Sequence, residues 1–76
     1  MTNAENLLRL QDIFRNVLDL PTLVITEDFS VRDCPAWDSV ATVQIILAFE
    51  AEFNCRIPTR LIPELRAVRD FLALCP

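Results

Sequence analysis

The sequence predicts an all-α fold, a small bundle of four helices of unequal length. Apolar residues recur at intervals of three and four in the stretches that begin near residues 7 and 40, as on one face of an amphipathic helix. The one run with strand-like composition, Leu23-Val24-Ile25, has no partner strand in the sequence. The chain has 76 residues, which is the size of a single domain.

The first helix is expected to run from a cap at Thr2 to about Leu20. Thr2 and Glu5 form a capping-box pattern, in which a carboxylate follows a capping hydroxyl three residues later. Pro21 should end the helix because proline disfavours helical geometry in the residue before it. The apolar residues of its inner side are Leu7, Leu10, Ile13, Phe14, Val17 and Leu18.

Residues 21–38 are expected to form a long connection between the first two helices. A loop of this length in a compact domain is usually functional. Its apolar residues should fold back onto the core, and these are Leu23, Ile25, Phe29 and Val31.

The second helix is expected to run from Ser39 to Phe53, with Asp38 as its N-cap. Its wide apolar face should consist of Val40, Val43, Ile46, Leu47, Phe49 and Phe53. An uncharged stripe on the other side should be exposed, and it consists of Ala41, Gln44, Ala48 and Ala51.

Two shorter elements should complete the bundle. A helical turn is expected over residues 59–65, with Leu61, Ile62 and Leu65 as its apolar residues and Pro63 in its first turn. The last helix should run from Ala67 to Leu74, and Val68, Phe71, Leu72 and Cys75 should face inward.

The amino-acid composition argues against an enzyme. The chain contains no His, so no Ser–His or Cys–His nucleophile pair can form. It also lacks Lys and Gly, which excludes a Schiff-base lysine and a glycine-rich phosphate loop. The net charge of −4 argues against nucleic-acid binding and suits a partner with a basic docking surface.

Cysteine content and hydropathy indicate where the protein acts. Three widely separated cysteines suggest free thiols in a reducing compartment, and their spacing does not fit a metal site. No apolar run approaches the roughly 20 residues that span a bilayer. We therefore expect a cytoplasmic monomer that binds neither metal nor membrane.

Ser39 is the main candidate functional residue. It follows a long loop and lies at a predicted helix N-terminus, where its hydroxyl should be accessible. Unpaired backbone N–H groups and the helix dipole would favour a phosphate attached there. Ser39 is therefore predicted to be the attachment point of a cofactor that is donated by another molecule. The alternative, for so short a motif, is an ordinary serine in the first turn of a helix.

The chain resembles the acyl carrier proteins over its whole length. Asp38-Ser39-Val40 is similar to the Asp-Ser-Leu of that family. The resemblance continues through Val43, Ile46-Leu47, Phe49-Glu50, Glu52-Phe53, Ile57-Pro58 and Val68-Arg69-Asp70-Phe71-Leu72. It implies a four-helix bundle of acyl-carrier type in a single carrier domain, residues 1–76, with three longer helices and a short third one.

The resemblance also implies a function. Ser39 would carry 4′-phosphopantetheine, transferred from coenzyme A by a phosphopantetheinyl transferase that Asp38 helps to position. The arm would hold an acyl or aminoacyl thioester for loading and downstream biosynthetic enzymes. The residues that would dock these partners are Val40, Gln44, Glu50 and Glu52. A cargo pocket between the second and third helices would be lined by Phe29, Val43, Ile46, Ile57, Ile62 and Leu65.

Departures from the family pattern narrow this function. Fatty-acid carriers have acidic residues where this chain has Ala41, Gln44 and Ala51, which favours a dedicated carrier in a polyketide-like or other specialised pathway. Peptidyl carriers have a glycine-rich segment before the serine, so the acyl type is preferred. The rival hypotheses are an unmodified carrier-fold adaptor that only binds proteins and, less favoured, a small enzyme. Trp37 is expected to be a hydrophobic lid.

Overall fold

The computed structural model describes residues 3–76, where the regular elements are helices connected by loops, which confirms the all-α prediction. Helix α1 spans Asn3–Leu18 and α2 spans Ser39–Phe53. A 3₁₀ helix follows at Thr59–Glu64, and α3 spans Val68–Leu72. None of the helices in residues 3–76 is long and apolar enough to cross a membrane.

Helix α1 ends two residues before the expected position. Asp19 has a φ of 56°, and the Leu20 N–H donates to the Arg15 carbonyl at 3.0 Å. Aspartate tolerates this left-handed conformation better than most residues, and the chain contains no glycine to take it. The expected cap at Thr2 lies outside the described residues. The buried residues of α1 are Asn6, Leu10, Ile13, Phe14 and Leu18.

The long loop between α1 and α2 packs back onto the core, as expected. Ile25 is buried, and its N–H donates to Gln11 Oε1 at 3.1 Å. Arg15 Nε donates to the Leu23 carbonyl at 2.6 Å. Two polar side chains of α1 therefore hold the first part of the loop. Leu23, Phe29 and Val31 are half-buried against the core.

The second part of the loop pairs with the segment before α3. Ser30 and Ala67 form an isolated antiparallel bridge. The Val31 N–H donates to the Arg66 carbonyl, and the Val68 N–H donates to the Phe29 carbonyl, both at 2.9 Å. These bonds bring residues 62–66 close to the start of α2.

The buried face of α2 differs from the predicted one, although the bounds of the helix are confirmed. Val40, Val43 and Leu47 are 64%, 47% and 61% exposed. The buried residues are Ala41, Thr42, Ile45, Ile46, Phe49 and Phe53. Apolar residues lie on more than one side of α2, so their spacing alone does not select a face.

The exposed stripe predicted for α2 is therefore wrong at one position. Ala41 is buried, whereas Gln44 and Ala51 are exposed and Ala48 is half-buried. Helix α2 ends at Asn54, whose left-handed φ of 51° ends the helix as glycine commonly does elsewhere.

The last two elements are shorter or differently built than predicted. Pro63 is the fifth residue of the six-residue 3₁₀ helix and does not lie in its first turn. At its two ends, the Leu61 N–H donates to the Pro58 carbonyl at 3.0 Å and the Leu65 N–H donates to the Ile62 carbonyl at 3.1 Å. Helix α3 has five residues, so residues 3–76 form two long and two short helices, whereas three longer helices and one short one were expected. Val68, Phe71 and Leu72 are buried as expected, and Cys75 is half-buried.

An aromatic cluster joins the loop to the helices. The ring of Phe14 lies edge-on to Trp37 at 4.9 Å and to Phe71 at 5.9 Å between centroids. Phe29 stacks on Trp37 at 5.9 Å. Trp37 is only 3% exposed, so it is part of the core itself. This cluster fixes the chain two residues before Ser39.

Candidate functional site

Ser39 is the first residue of α2, and it is exposed. Asp38 precedes it in extended geometry, and Asp38 Oδ1 accepts the N–H of Ala41 at 2.8 Å. The predicted N-cap role of Asp38 is therefore confirmed. The Asp38 carbonyl accepts the N–H of Thr42 at 2.9 Å. The N–H groups of Ser39 and Val40 have no intrahelical partner, as is general for a first turn.

The Ser39 hydroxyl has no hydrogen-bond partner among residues 3–76. Its exposure and the cap on the neighbouring residue leave the oxygen available to a reactant from solvent. Because Asp38 carries the cap, the helix start does not depend on the Ser39 side chain.

An open groove of about 310 Å³ lies beside Ser39, between the first turn of α2 and the 3₁₀ helix. Its lining is mostly apolar, with one arginine. The lining residues are Val31, Trp37, Asp38, Ser39, Thr42, Ile62, Pro63, Leu65 and Arg66. The groove therefore offers an apolar wall, one negative charge from Asp38 and one positive charge from Arg66 near the exposed hydroxyl.

Two of the six positions predicted to line a cargo pocket, Ile62 and Leu65, line this groove. The other four lie elsewhere. Ile46 and Ile57 are buried in the core, and Phe29 is half-buried against Trp37. Val43 is exposed on α2.

Sequence reasoning missed several residues of the groove, chiefly Thr42 and Arg66. Thr42 had a usable signal, because it lies one helical turn after Ser39 on the same side of α2. Arg66 had none, because it reaches the site only through the return of the chain after α2.

The residues predicted to dock partners fall into two pairs, one exposed on α2 and the other bonded to residues of the same chain. Val40 and Gln44 are exposed on the same side of α2 as Val43 and Leu47, at intervals of three and four residues. Glu50 and Glu52, near the end of α2, both have partners within the chain. The docking role of these four residues stays a prediction.

The two carboxylates near the end of α2 make structural contacts. Glu50 Oε2 accepts the N–H of Ile57 at 2.7 Å, which ties the following segment to the helix. Glu52 Oε2 accepts from Arg9 Nε at 2.9 Å and lies 2.8 Å from Arg9 Nη2. The Arg9 guanidinium also lies 4.2 Å from the ring centroid of Phe53. Charge reversal at these positions would therefore perturb the fold as well as any docking.

Replacing Glu50 with alanine should lower the free energy of unfolding by about 1–3 kcal/mol, because the partly buried Ile57 N–H loses its charged acceptor. Urea denaturation measures the change. Glu52→Ala is the matched control, since its exposed ion pair should contribute less than about 1 kcal/mol. Equal losses in the two variants would contradict a structural role for the Glu50 contact.

The cysteines offer no comparable nucleophile. Cys34 is buried. Burial raises the pKa of the Cys55 thiol, with a further contribution from the charge of Glu50. Burial likewise raises the pKa of the Cys75 thiol. A raised pKa keeps a thiol protonated at neutral pH and therefore less reactive.

The sequence matches a family model described as a phosphopantetheine attachment site, over residues 8–75. Acyl carrier protein of Acidothermus cellulolyticus is 30% identical over 70 residues, which is 92% of this chain and 83% of that protein. Acyl carrier protein of Syntrophobacter fumaroxidans is 31% identical over 62 residues, which is 82% of this chain and 76% of that protein.

A solved structure gives the same result. The solution structure of holo acyl carrier protein from Geobacter metallireducens is 30% identical and superimposes with a TM-score of 0.81, over 91% of this chain and 79% of that one. The chain therefore belongs to the acyl carrier protein family, whose members are not enzymes but carriers that bear covalent 4′-phosphopantetheine.

Proposed function

We propose that Ser39 is the attachment residue for 4′-phosphopantetheine, and that the arm presents acyl groups to biosynthetic enzymes. The observation that carries this proposal is the exposed, unpartnered hydroxyl at the start of α2, beside an open groove. The chain has two serines, and only this one combines exposure with a helix N-terminus.

The residues around Ser39 suit a phosphodiester. The free N–H groups and the dipole of α2 stabilise an anion there by about 0.3–1 kcal/mol. Asp38 opposes this effect, whereas the positive charge of Arg66 on the same groove favours it. When bound, the arm supplies a terminal thiol that holds cargo as a thioester.

The oxygen of Ser39 is the atom of this chain that reacts in the attachment. The Ser39 oxygen forms a bond to the phosphorus next to the pantetheine of coenzyme A, and the pyrophosphate P–O bond breaks. Adenosine 3′,5′-bisphosphate leaves, and the hydroxyl proton goes to a base on the transferase. The absence of His and Lys in the carrier is consistent with this division of work.

Incubation of the apo protein with coenzyme A and a broad-specificity phosphopantetheinyl transferase tests the proposal. Intact mass should increase by one phosphopantetheine. Failure with several transferases would contradict the proposal and favour an adaptor that keeps the carrier fold without the arm.

We further propose that partner enzymes dock on an exposed, mostly apolar strip of α2, formed by Val40, Val43, Gln44 and Leu47. Three of these side chains are large, apolar and at least 47% exposed. The strip begins directly after Ser39, so a bound partner would meet the arm at its base. Glu50 and Glu52 lie at the far end of α2 and would contribute less, because their carboxylates already have partners.

Replacing Val43 and Leu47 together with serine should reduce kcat/KM for transfer of the arm about five- to tenfold, because apolar contacts are lost on binding. Kinetics with varied carrier concentration measure the effect. Val24→Ser is the control, since Val24 is 70% exposed but lies in the loop. An unchanged kcat/KM in the double variant would exclude this strip as the docking face.

The distribution of charge supports a dedicated carrier in a specialised pathway. The whole net charge of −4 comes from residues 1–38, since residues 39–76 contain four arginines and four carboxylates. The half of the chain that carries Ser39 is thus electroneutral and suits partners that recognise shape and apolar contact. Those partners would be the transferase and acyl-loading and downstream enzymes in the cytoplasm.

A further inference from the structure

A hydrogen-bonded ring surrounds the start of α2. Trp37 Nε1 donates to Thr42 Oγ1 at 2.9 Å. Thr42 Oγ1 donates in turn to the Asp38 carbonyl at 3.0 Å, and the Thr42 N–H reaches the same carbonyl at 2.9 Å. Because Asp38 follows Trp37 in the chain, these contacts close a ring of Trp37, Asp38 and Thr42, and Ser39 lies on the backbone between its Asp38 and Thr42 members.

The direction of each bond in the ring is determined. An indole nitrogen can only donate, and a threonine hydroxyl has a single hydrogen. Thr42 therefore accepts from Trp37 and donates to Asp38. Trp37 is 3% exposed and Thr42 is 8% exposed, so water competes little for these bonds.

The ring is attached to the core on its Trp37 side. The indole lies edge-on to Phe14 at 4.9 Å and stacks on Phe29 at 5.9 Å. The backbone N–H of Trp37 donates to the Cys34 carbonyl at 3.0 Å. The residues on both sides of Ser39 are thus held, while Ser39 itself projects into solvent.

We propose that Thr42 and Trp37 are positioning residues for the modification of Ser39. The ring holds the first turn of α2 in one conformation, in which the Ser39 hydroxyl stands beside the groove. Without the ring, that turn frays, and only a fraction of carrier molecules present the hydroxyl correctly. The apparent affinity for the transferase falls by that fraction. This inference rests on Ser39 being the attachment residue.

The test uses two substitutions at one position. Thr42→Val keeps the shape of the side chain and removes both hydroxyl bonds, whereas Thr42→Ser keeps the hydroxyl. We expect Thr42→Val to lower kcat/KM for arm transfer about three- to tenfold, the range expected for a lost hydrogen bond, mainly through KM. Thr42→Ser should stay within about twofold of wild type.

The indole proton of Trp37 gives an independent readout, because this is the only tryptophan. Its NMR resonance should move toward the unbonded position and exchange faster with solvent in Thr42→Val, but not in Thr42→Ser. Trp37→Phe removes the donor and keeps an aromatic ring. Trp37→Phe should therefore lower kcat/KM for arm transfer, as Thr42→Val does.

Ile13→Val separates positioning from stability. Ile13 is buried on α1 and is not part of the groove, and this change should destabilise the fold by a similar amount. We expect it to leave kcat/KM unchanged. Equal slowing by Ile13→Val, or no slowing by Thr42→Val, would overturn the positioning role. A wild-type protein that no transferase modifies would instead overturn the attachment proposal.

Discussion

Replacing Ser39 with alanine should abolish attachment of phosphopantetheine and leave the fold intact. Alanine has no oxygen to form the phosphodiester, so the intact mass should stay that of the apo protein at any incubation time. Stability should change by less than about 0.5 kcal/mol, because Ser39 is exposed and Asp38 supplies the cap.

Ser30→Ala is the matched control, since Ser30 is the other serine of the chain. It is half-buried in the loop, where its backbone N–H donates to Asp33 Oδ2 at 2.9 Å. This variant should accept the arm as wild type does. An adduct on the Ser39→Ala protein would contradict the assignment of the arm to Ser39. Loss of the adduct in Ser30→Ala alone would contradict it as well.

Replacing Phe14 with alanine should have the largest effect on stability, a loss of about 3–5 kcal/mol in the free energy of unfolding. Phe14 is fully buried and contacts the rings of Phe29, Trp37 and Phe71. Domains of this kind are stable by only about 5–15 kcal/mol. Phe14→Ala would therefore remove a large part of the free energy of unfolding, and it would also remove the ring contact that supports Trp37.

Urea denaturation measures this loss, with an unchanged m value as the sign that the unfolding transition is the same. Leu8→Ala is the control, because Leu8 lies on the same helix but is 62% exposed. It should change stability by less than about 0.5 kcal/mol. Similar losses in both variants would contradict the placement of Phe14 at the centre of the core.

Local signals in the sequence predicted the helix starts better than the packing. Asp38 is a strong capping residue, and it predicted the first residue of α2, which the observed bond from the Ala41 N–H to its carboxylate confirms. The face that α2 buries was not predictable from periodicity, because Val40, Val43 and Leu47 are as apolar as the residues that are buried. Tertiary contacts decide that face, among them the packing of α2 on α1, the ring contact of Phe49 with Phe71 and the bond from Trp37 to Thr42.

The residues of the groove also differ in how far the sequence predicts them. Ser39 could be identified from the sequence as an accessible residue because its setting is local. The lining by Arg66 and Pro63 depends on how the chain returns after α2, through the left-handed Asn54 and the Glu50–Ile57 bond. No short-range pattern encodes that return.

The arrangement suits a carrier because it separates rigidity from access. Buried aromatic rings and the hydrogen bonds of Thr42 fix the backbone beside Ser39, while its hydroxyl stays exposed. A rigid base presents a flexible arm to successive partners with little loss of conformational entropy in the protein itself.

Fragmentation mass spectrometry of the protein recovered from the cells that produce it tests the central proposal most directly. Fragments that contain Ser39 should carry the mass of one phosphopantetheine, and fragments that contain only Ser30 should not. Protein that is entirely bare at Ser39, or that bears the arm at another residue, would contradict the assignment.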